Sequence, residues 1–333
     1  MTEFLDSCYE VIKIQERSIA DTINSVDLKN VSDITEKHRI VLIGAGDSYA
    51  VSEYGKWVFR SIGLDAISLS PPEVIHVPMD SETVVIGVTA SGRSLSTLDA
   101  LQKTRAKGAE TIVLTDDPEG KASEETSNLW VTKAAVDSYN VSPASSTTTA
   151  MAYLLTIASE IDSKLQEDLQ SDIQQLTKIG KKMLDWAEHE GKVVAKLVTP
   201  GPPLYMVSDG PNHVAAQIGM MKFNEFAVVK GVAALREDFC HHQNLSIDDG
   251  DQAILISGDV GSDDERYMNV LTEVLNMQAH HIHVPQDFGF KTALAQTIPN
   301  SIAIQMGSHF TVRRYKPDME WFRMPHAKAF RIY

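Results

Sequence analysis

The stretch from Arg39 to Gly63, RIVLIGAGDSYAVSEYGKWVFRSIG, decides the fold. The apolar run Ile40–Ile43 is typical of a strand that is buried on both faces, and the glycines of Gly44-Ala-Gly46 end it. Residues 48–61 then have the spacing of a helix. A buried strand, a glycine turn and a helix in succession predict a parallel sheet covered by helices.

The same alternation of strands and helices continues along the chain. We expect a first helix over 4–24. We expect further strands at 66–69, 83–88, 111–114, 129–132, 204–208, 231–235, 253–257 and 281–284. We expect the other helices at 94–106, 147–198, 212–228, 266–279 and 299–314. The pattern predicts an α/β protein of two doubly wound subdomains, 1–190 and 191–333, each with a mostly parallel sheet flanked by helices.

The charge and the cysteine content narrow the class of protein. The 333 residues carry 30 Lys and Arg against 45 Asp and Glu, which gives a net charge of −15. Such a charge repels nucleic acid and anionic membranes, so we expect neither as a partner. The two cysteines, Cys8 and Cys240, form no disulfide framework or zinc motif. Since the start MTEFLDSCYE lacks a basic region and a long apolar core, we expect no signal peptide and a cytoplasmic protein.

The turn after the first strand differs from a dinucleotide-binding turn. That fingerprint reads G-x-G-x-x-G, and here Tyr49 stands at the third glycine position. No acidic residue closes a second strand at the required distance. The turn therefore argues against a nicotinamide cofactor, and we expect no cofactor.

A second turn, Gly87-Val-Thr-Ala-Ser-Gly-Arg-Ser94, also joins a buried strand to a helix. Thr89, Ser91 and Ser94 offer three hydroxyl groups around Gly92. Unbonded N–H groups at the start of a helix attract a phosphate, and hydroxyl groups complete its binding site without a lysine. An ordinary helix cap needs only one such hydroxyl, so the pattern favours a phosphate-binding loop. A third polar cluster, from Ser142 to Thr149, is equally consistent with a capped loop and with a binding loop.

Together these three loops resemble the sugar isomerase (SIS) domain family, whose members bind phosphosugars. The matching residues are Gly46-Asp47-Ser48-Tyr49, Thr89-Ala90-Ser91-Gly92-Arg93-Ser94 and Ala144-Ser145-Ser146. Within the family the chain is most similar to the isomerase half of glutamine:fructose-6-phosphate amidotransferase, and it also resembles archaeal phosphosugar isomerases. The resemblance implies two SIS subdomains. The implied phosphate-binding residues are Ser48, Thr89, Ala90, Ser91 and Ser94, with Gly46, Asp47 and Ser145 as further substrate contacts.

The second half resembles the part of the family that carries the chemistry. Gln217-Ile-Gly-Met-Met-Lys222-Phe-Asn-Glu225 looks like the family helix with a lysine and, three residues on, a catalytic glutamate, so both side chains would share one helix face. His241, sixteen residues later, stands where the family has its ring-opening histidine. Lys328 lies in a stretch that resembles the family's terminal tail. In several relatives the histidine reaches a neighbouring subunit, which implies a homodimer.

The resemblance implies an aldose–ketose isomerase that acts on a hexose or amino-hexose 6-phosphate. Glu225 would move a proton between C1 and C2, and His241 would open the sugar ring. Lys222 or Lys328 would stabilise the enediolate, or Lys328 would form an imine with the keto sugar. A glucosamine-6-phosphate deaminase and a non-catalytic phosphosugar sensor stay open as alternatives. The pair His241-His242 has no third ligand at zinc spacing, so we expect no metal.

Several positions depart from the amidotransferase pattern. Ala90 stands where a glutamine is common, Arg93 where a glutamate is common, and Thr147 where a lysine is usual. Asp47 places an acid beside the expected phosphate, where it would cap the helix or bind a sugar hydroxyl or amine. No glutaminase segment is present in the 333 residues, so we expect no amination from glutamine.

Overall fold

The computed structural model describes residues 2–126, 128–135, 141–258, 261–323, 326, 329, 330 and 332, with Ser262 described by its backbone alone. These residues form two compact units. The first unit comprises Ile14–Gly180 and Phe330–Tyr333, and the second comprises Met1–Lys13 and Lys181–Ala329. The change from one unit to the other therefore falls at residue 180 instead of the predicted 190, and the first helix belongs with the second half of the chain.

A five-stranded parallel sheet forms the centre of the first unit. Its strands are β1 (Arg39–Ile43), β2 (Ala66–Leu69), β3 (Thr83–Val88), β4 (Glu110–Thr115) and β5 (Asn128–Val131). Its helices are α2 (Gln15–Ser25), α3 (Ser32–Thr35), α4 (Asp47–Ser61), α5 (Leu95–Ala106), α6 (Ser145–Ser159) and α7 (Gln166–Lys178). All six residues of β3 are buried, which is why this strand reads as one apolar run.

The order of the strands in this sheet is β2-β1-β3-β4-β5. From β1 the chain passes to β2 on one side and then to β3 on the other, so the direction of winding reverses between β1 and β3. In open α/β sheets ligands bind in the crevice outside the carboxyl ends of the strands at such a reversal. The turns β1–α4 and β3–α5 both lie at this edge, and they are the two turns that the sequence singles out.

A four-stranded parallel sheet forms the centre of the second unit. Its strands are β6 (Leu204–Ser208), β7 (Gly231–Leu235), β8 (Gln252–Ser257) and β9 (Gln278–His283), in the order β7-β6-β8-β9. Its helices are α1 (Glu3–Lys13), α8 (Gly180–Leu197), α9 (His213–Glu225), α10 (Arg236–His241), α11 (Ser262–Asn269), which continues as a π-helical turn (Val270–Val274), and α12 (Ala293–Tyr315). The predicted fold class, two mostly parallel sheets flanked by helices, is confirmed.

Glycines allow the buried helix α12 to approach its neighbours closely. A Cβ atom at Gly219 of α9 would lie 2.5 Å from Ile304, and one at Gly307 of α12 would lie 2.7 Å from Val194 of α8. Larger residues at these positions would force the helices apart. Although α12 is buried over most of its length, none of the described helices combines the length and apolarity that a bilayer crossing demands.

The turn between β1 and α4 depends on two glycines for different reasons. A Cβ atom at Gly44 would overlap the backbone carbonyl group of Ser48 at the start of α4. Gly46 has a φ of 58° and a ψ of −129°, which side chains disfavour, but a Cβ atom there would meet no atom within 4 Å. The first position is limited by space and the second by backbone conformation.

We predict that Gly44→Ala destabilises the first unit more than Gly46→Ala does. The overlap with a backbone group that cannot move away should cost about 3 kcal/mol, against about 1–2 kcal/mol for the strained backbone at residue 46. Urea unfolding of both purified variants measures the difference. Equal losses, or a larger loss at residue 46, would contradict this account of the turn.

Candidate active site

The loop Thr89–Ser94, between β3 and α5, is held in place by its own backbone. The carbonyl oxygen of Ala90 accepts hydrogen bonds from the N–H of Asp116 (3.1 Å) and from the hydroxyl of Thr115 (3.0 Å). Gly92 has a φ of +63°, and a Cβ atom there would lie 2.9 Å from the Cα atom of Gly120. The neighbouring loop therefore packs against Gly92 and fixes the turn.

This loop leaves several hydrogen-bond donors unused. The N–H groups of Ala90 and Ser91, and those of Ser96 and Thr97 in the first turn of α5, donate to no described residue. Ser94 precedes the helix but does not cap it, since its hydroxyl instead accepts a hydrogen bond from Thr97 (3.1 Å). The helix start thus keeps its partial positive charge and its unbonded donors, as an anion-binding site requires.

Hydroxyl groups at the same edge are also unused. Thr89 is buried and Ser91 is half-buried, and neither hydroxyl forms a hydrogen bond with a described residue. Ser48, at the start of α4, is half-buried, and its hydroxyl also forms no hydrogen bond with a described residue. Asp47 is half-buried beside it, and one of its carboxylate oxygens is shielded from solvent. We define Gly46–Ser48 and Thr89–Ser94, with the first turn of α5, as the anion cradle.

The third polar cluster differs from the prediction at Ser145. Its buried hydroxyl donates to the carbonyl oxygen of Ala134 (3.0 Å) and shares a hydrogen bond with the hydroxyl of Ser18 (2.8 Å). These bonds give Ser145 a structural role at the start of α6, so its side chain has no donor left for a substrate. The next two hydroxyls, of Ser146 and Thr147, are buried and have no hydrogen-bond partner among the described residues.

The sequence reasoning missed Asp116, which follows β4 at the same edge of the sheet. Its Oδ1 accepts a hydrogen bond from Thr132 (2.5 Å), and its Oδ2 is shielded from solvent. Burial raises the pKa of the Asp116 carboxyl to about 6 and the charge of Asp117 adds to this rise, while the hydroxyls of Ser146 and Thr132 partly oppose it. An acid directly after a buried strand was the available signal.

The end of the chain returns to the first unit. The carbonyl oxygen of Ile332 accepts a hydrogen bond from the N–H of Leu95, the first residue of α5 (3.1 Å). Ile332 therefore lies against the first turn of α5. Lys328 lies outside the described residues, so its predicted role stays a prediction.

In the second unit, α9 presents Lys222 and Glu225 on one face. Lys222 is 1% exposed, and its Nζ lies 3.0 Å from Oε2 and 3.3 Å from Oε1 of Glu225. The Glu225 side chain is 29% exposed. A buried ammonium group requires a nearby negative charge, so the lysine holds the carboxylate of Glu225 in a fixed position near the end of the helix.

His241 ends α10 at the surface of the second unit. Its side chain is 76% exposed, and its Nε2 lies 3.5 Å from the Glu237 carboxylate one turn earlier. Phe239, on the same short helix, is buried, so the fold fixes the helix while the histidine points to solvent. This exposed imidazole is available to a partner outside the unit.

The comparison with known families matches the first unit. Residues 33–159 match the model of the SIS domain family. This family match falls within the first unit. The matched range contains β1 to β5, α4 to α6 and both turns of the anion cradle, so the predicted resemblance is confirmed for this part of the chain.

Curated and structural relatives extend the likeness beyond the SIS domain. Glutamine–fructose-6-phosphate aminotransferase (isomerizing) from Sulfolobus acidocaldarius is 24% identical over 247 residues, which are 72% of this chain and 41% of that protein. The chain thus spans less than half of the length of this relative. The C-terminal domain of glucosamine-fructose-6-phosphate aminotransferase from Francisella tularensis superposes with a TM-score of 0.79 at 14% identity, covering 92% of this chain and 95% of that one.

A protein with a different name has the same fold. Glucosamine-6-phosphate deaminase from Thermotoga maritima superposes with a TM-score of 0.70 at 13% identity, covering 93% of this chain and 95% of that one. At such identities the likeness establishes the shared fold. It extends over both units, each of which has a parallel sheet flanked by helices.

We predict that Glu225→Gln lowers the free energy of unfolding by about 1–2 kcal/mol, because Lys222 would keep a buried charge without its carboxylate. The matched control is Asp185→Asn, which removes the partner of Lys181 in an exposed helical pair and should cost less than about 0.5 kcal/mol. Urea unfolding measures both values. A Glu225→Gln protein as stable as the control would contradict the account of Lys222.

Proposed function

We propose that this protein is a phosphosugar isomerase that interconverts an aldose and a ketose of a hexose or amino-hexose 6-phosphate. The observation that carries the proposal is the anion cradle, in which a helix start without a side-chain cap and unbonded hydroxyls meet at the reversal point of a SIS-domain sheet. These groups suit a phosphate, because backbone N–H groups and hydroxyls supply several uncharged donors at one place.

The overall negative charge of the protein favours binding of the phosphate by uncharged hydrogen-bond donors. With a net charge of −15, the protein repels an anion at long range, so the substrate must be held by short-range hydrogen bonds. The phosphate lies far from the reacting carbons of a hexose 6-phosphate. Its binding energy therefore positions C1 and C2 for chemistry elsewhere in the site.

Glu225 is the proposed base. Isomerisation needs one group that takes a proton from C2 and returns it to C1, and a carboxylate fixed by a buried lysine meets that need. Glu225 takes the C2 proton, the electrons of the C2–H bond form a C1=C2 double bond, and the electrons of the C1=O double bond move to O1. An enediolate with negative charge on oxygen results. The ammonium of Lys222, 3.0 Å from the base, is placed to favour that charge.

His241 is proposed to open the sugar ring in the site of a second copy of the chain. The side chain of His241 is exposed, and so are the apolar side chains of Leu235 (41%) and Leu245 (82%), which flank it along the chain. Large exposed apolar side chains are typical of a surface that a second protein chain covers. The function would then require a homodimer. Lys328 retains its proposed role beside the enediolate or as an imine-forming amine.

A deaminase of glucosamine 6-phosphate is the second candidate. It would use the same proton transfer and then release ammonia. Asp47 favours it, because a carboxylate beside the cradle suits an amine on the sugar better than it suits a second anion. The shared fold with the Thermotoga maritima deaminase is consistent with it.

A non-catalytic sensor of phosphosugars is the third candidate function. It would bind these compounds without exchanging their protons.

We predict that Ser91→Ala raises the KM for the sugar phosphate about tenfold or more with little change in kcat, because one hydrogen bond to a charged group is lost. The control is Ser81→Ala, an exposed serine just before β3 and so at the opposite edge of the sheet. Steady-state kinetics of both variants measure the change. An unchanged KM for Ser91→Ala would remove that hydroxyl from the cradle.

We predict that Glu225→Gln slows deuterium uptake at C2 of the aldose by about 10²–10⁴-fold, the contribution of a positioned base. Proton NMR in deuterated water follows glucose, mannose and glucosamine 6-phosphates, and ammonia release is assayed in parallel. The control is Glu265→Gln, an exposed glutamate on α11 of the same unit. Exchange at the wild-type rate would contradict the assignment, ammonia release would select the deaminase, and binding without exchange would select the sensor.

A further inference from the structure

Asp116 is joined to the anion cradle by the backbone. Its N–H donates to the carbonyl oxygen of Ala90, and the preceding Thr115 bonds the same oxygen through its hydroxyl. The Asp116 carboxyl therefore sits at the carboxyl edge of the sheet, one hydrogen bond from the loop whose N–H groups would hold a phosphate.

The carboxyl lies in a buried polar cluster that the fold does not satisfy. Oδ1 accepts from Thr132, but Oδ2 is shielded from solvent and has no hydrogen-bond partner among the described residues. The buried hydroxyls of Ser146 and Thr147 at the start of α6 also have none. The Ser146 hydroxyl lies near enough to affect the carboxyl, although only the Thr132 contact has hydrogen-bond geometry. A charged carboxylate in such a place is unfavourable.

Within the described part of the chain, the groups around Asp116 provide no positive charge to offset this. From β4 it faces Asp117, from the end of β5 it faces Thr132, and from α6 it faces Ser146. Asp117 is the one charged group among the described residues that acts on it, and its charge is also negative. The next residue after Thr132, Lys133, is exposed.

We propose that Asp116 makes phosphate binding depend on a proton, so that the occupied cradle holds one proton shared between the Asp116 carboxyl and the phosphate. The inference rests on the proposed function, since it concerns the same anion cradle. A dianionic phosphate and an ionised carboxylate would repel each other in a region of low dielectric. With one proton present, the carboxyl becomes a hydrogen-bond donor and the repulsion is removed.

The number of protons taken up on binding follows from the pKa values of the phosphate and of the Asp116 carboxyl. A phosphate monoester loses its second proton at a pH of about 6, and burial raises the pKa of Asp116 to about 6. Well above that pH both groups are ionised before binding, so binding takes up one proton from solvent. The dissociation constant should then rise up to tenfold for each pH unit, whereas a site without this carboxyl should show no such rise.

Titration calorimetry with fructose 6-phosphate tests the proposal. The full chain is measured at pH 7.5 in buffers of different ionisation enthalpy, which reports the number of protons taken up. The expected values are about one proton for the wild type and about zero for Asp116→Asn, which keeps an oxygen that can accept from Thr132. The control Asp99→Asn removes an exposed carboxylate of α5 paired with Lys103 and should retain the wild-type uptake.

A second variant separates protonation from a structural role. Thr132→Val removes a donor that stabilises the ionised carboxyl, so the pH above which affinity falls should move upward. Binding by the wild type without proton uptake, or equal uptake by Asp116→Asn, would overturn this inference and leave the proposed function standing. If fructose, glucose and glucosamine 6-phosphates all failed to bind the wild type at any pH, the proposed function would fall and the inference with it.

Discussion

The exposed start of α5 is the feature on which the rest of this structure depends. Because Ser94 precedes the helix without capping it, the N–H groups of Ser96 and Thr97 donate to no described residue at the reversal point of the sheet. The buried strands β1 and β3 place this helix start beside the turn that contains Ser48, and Gly44 and Gly92 allow both turns to pack without a side chain. A rigid set of neutral donors is the result, and it suits an anion in a protein that is itself strongly acidic.

The second unit uses a similar sheet for a different purpose. Its buried Lys222 fixes Glu225 at the end of α9, so a helix and an ion pair define the position of the proposed base. The proposed base is thus carried by a different unit from the anion cradle. The exposed His241 adds a group whose role would depend on a second copy of the chain.

The sequence predicted the sheets better than the helix boundaries and the site. Buried parallel strands read as apolar runs, so most strands lie within a residue or two of their predicted positions; β9 begins earlier, at Gln278. The predicted helix over 147–198 is three helices, with breaks after Ser159 and after Lys178. Helix α12 starts at Ala293, before its predicted position, and includes Pro299. The partners of Ser145 and Asp116 could not be predicted from the sequence, because their hydrogen bonds to Ala134 and Thr132 depend on how the chain folds.

A crystal structure of the protein with fructose 6-phosphate tests the central claim most directly. The account predicts phosphate oxygens within hydrogen-bond distance of the N–H groups of Ala90, Ser91 and Thr97 and of the Ser91 hydroxyl, with no lysine or arginine required at the phosphate. A phosphate bound away from residues 89–97, or one held chiefly by cationic side chains while these N–H groups remained unbonded, would contradict it.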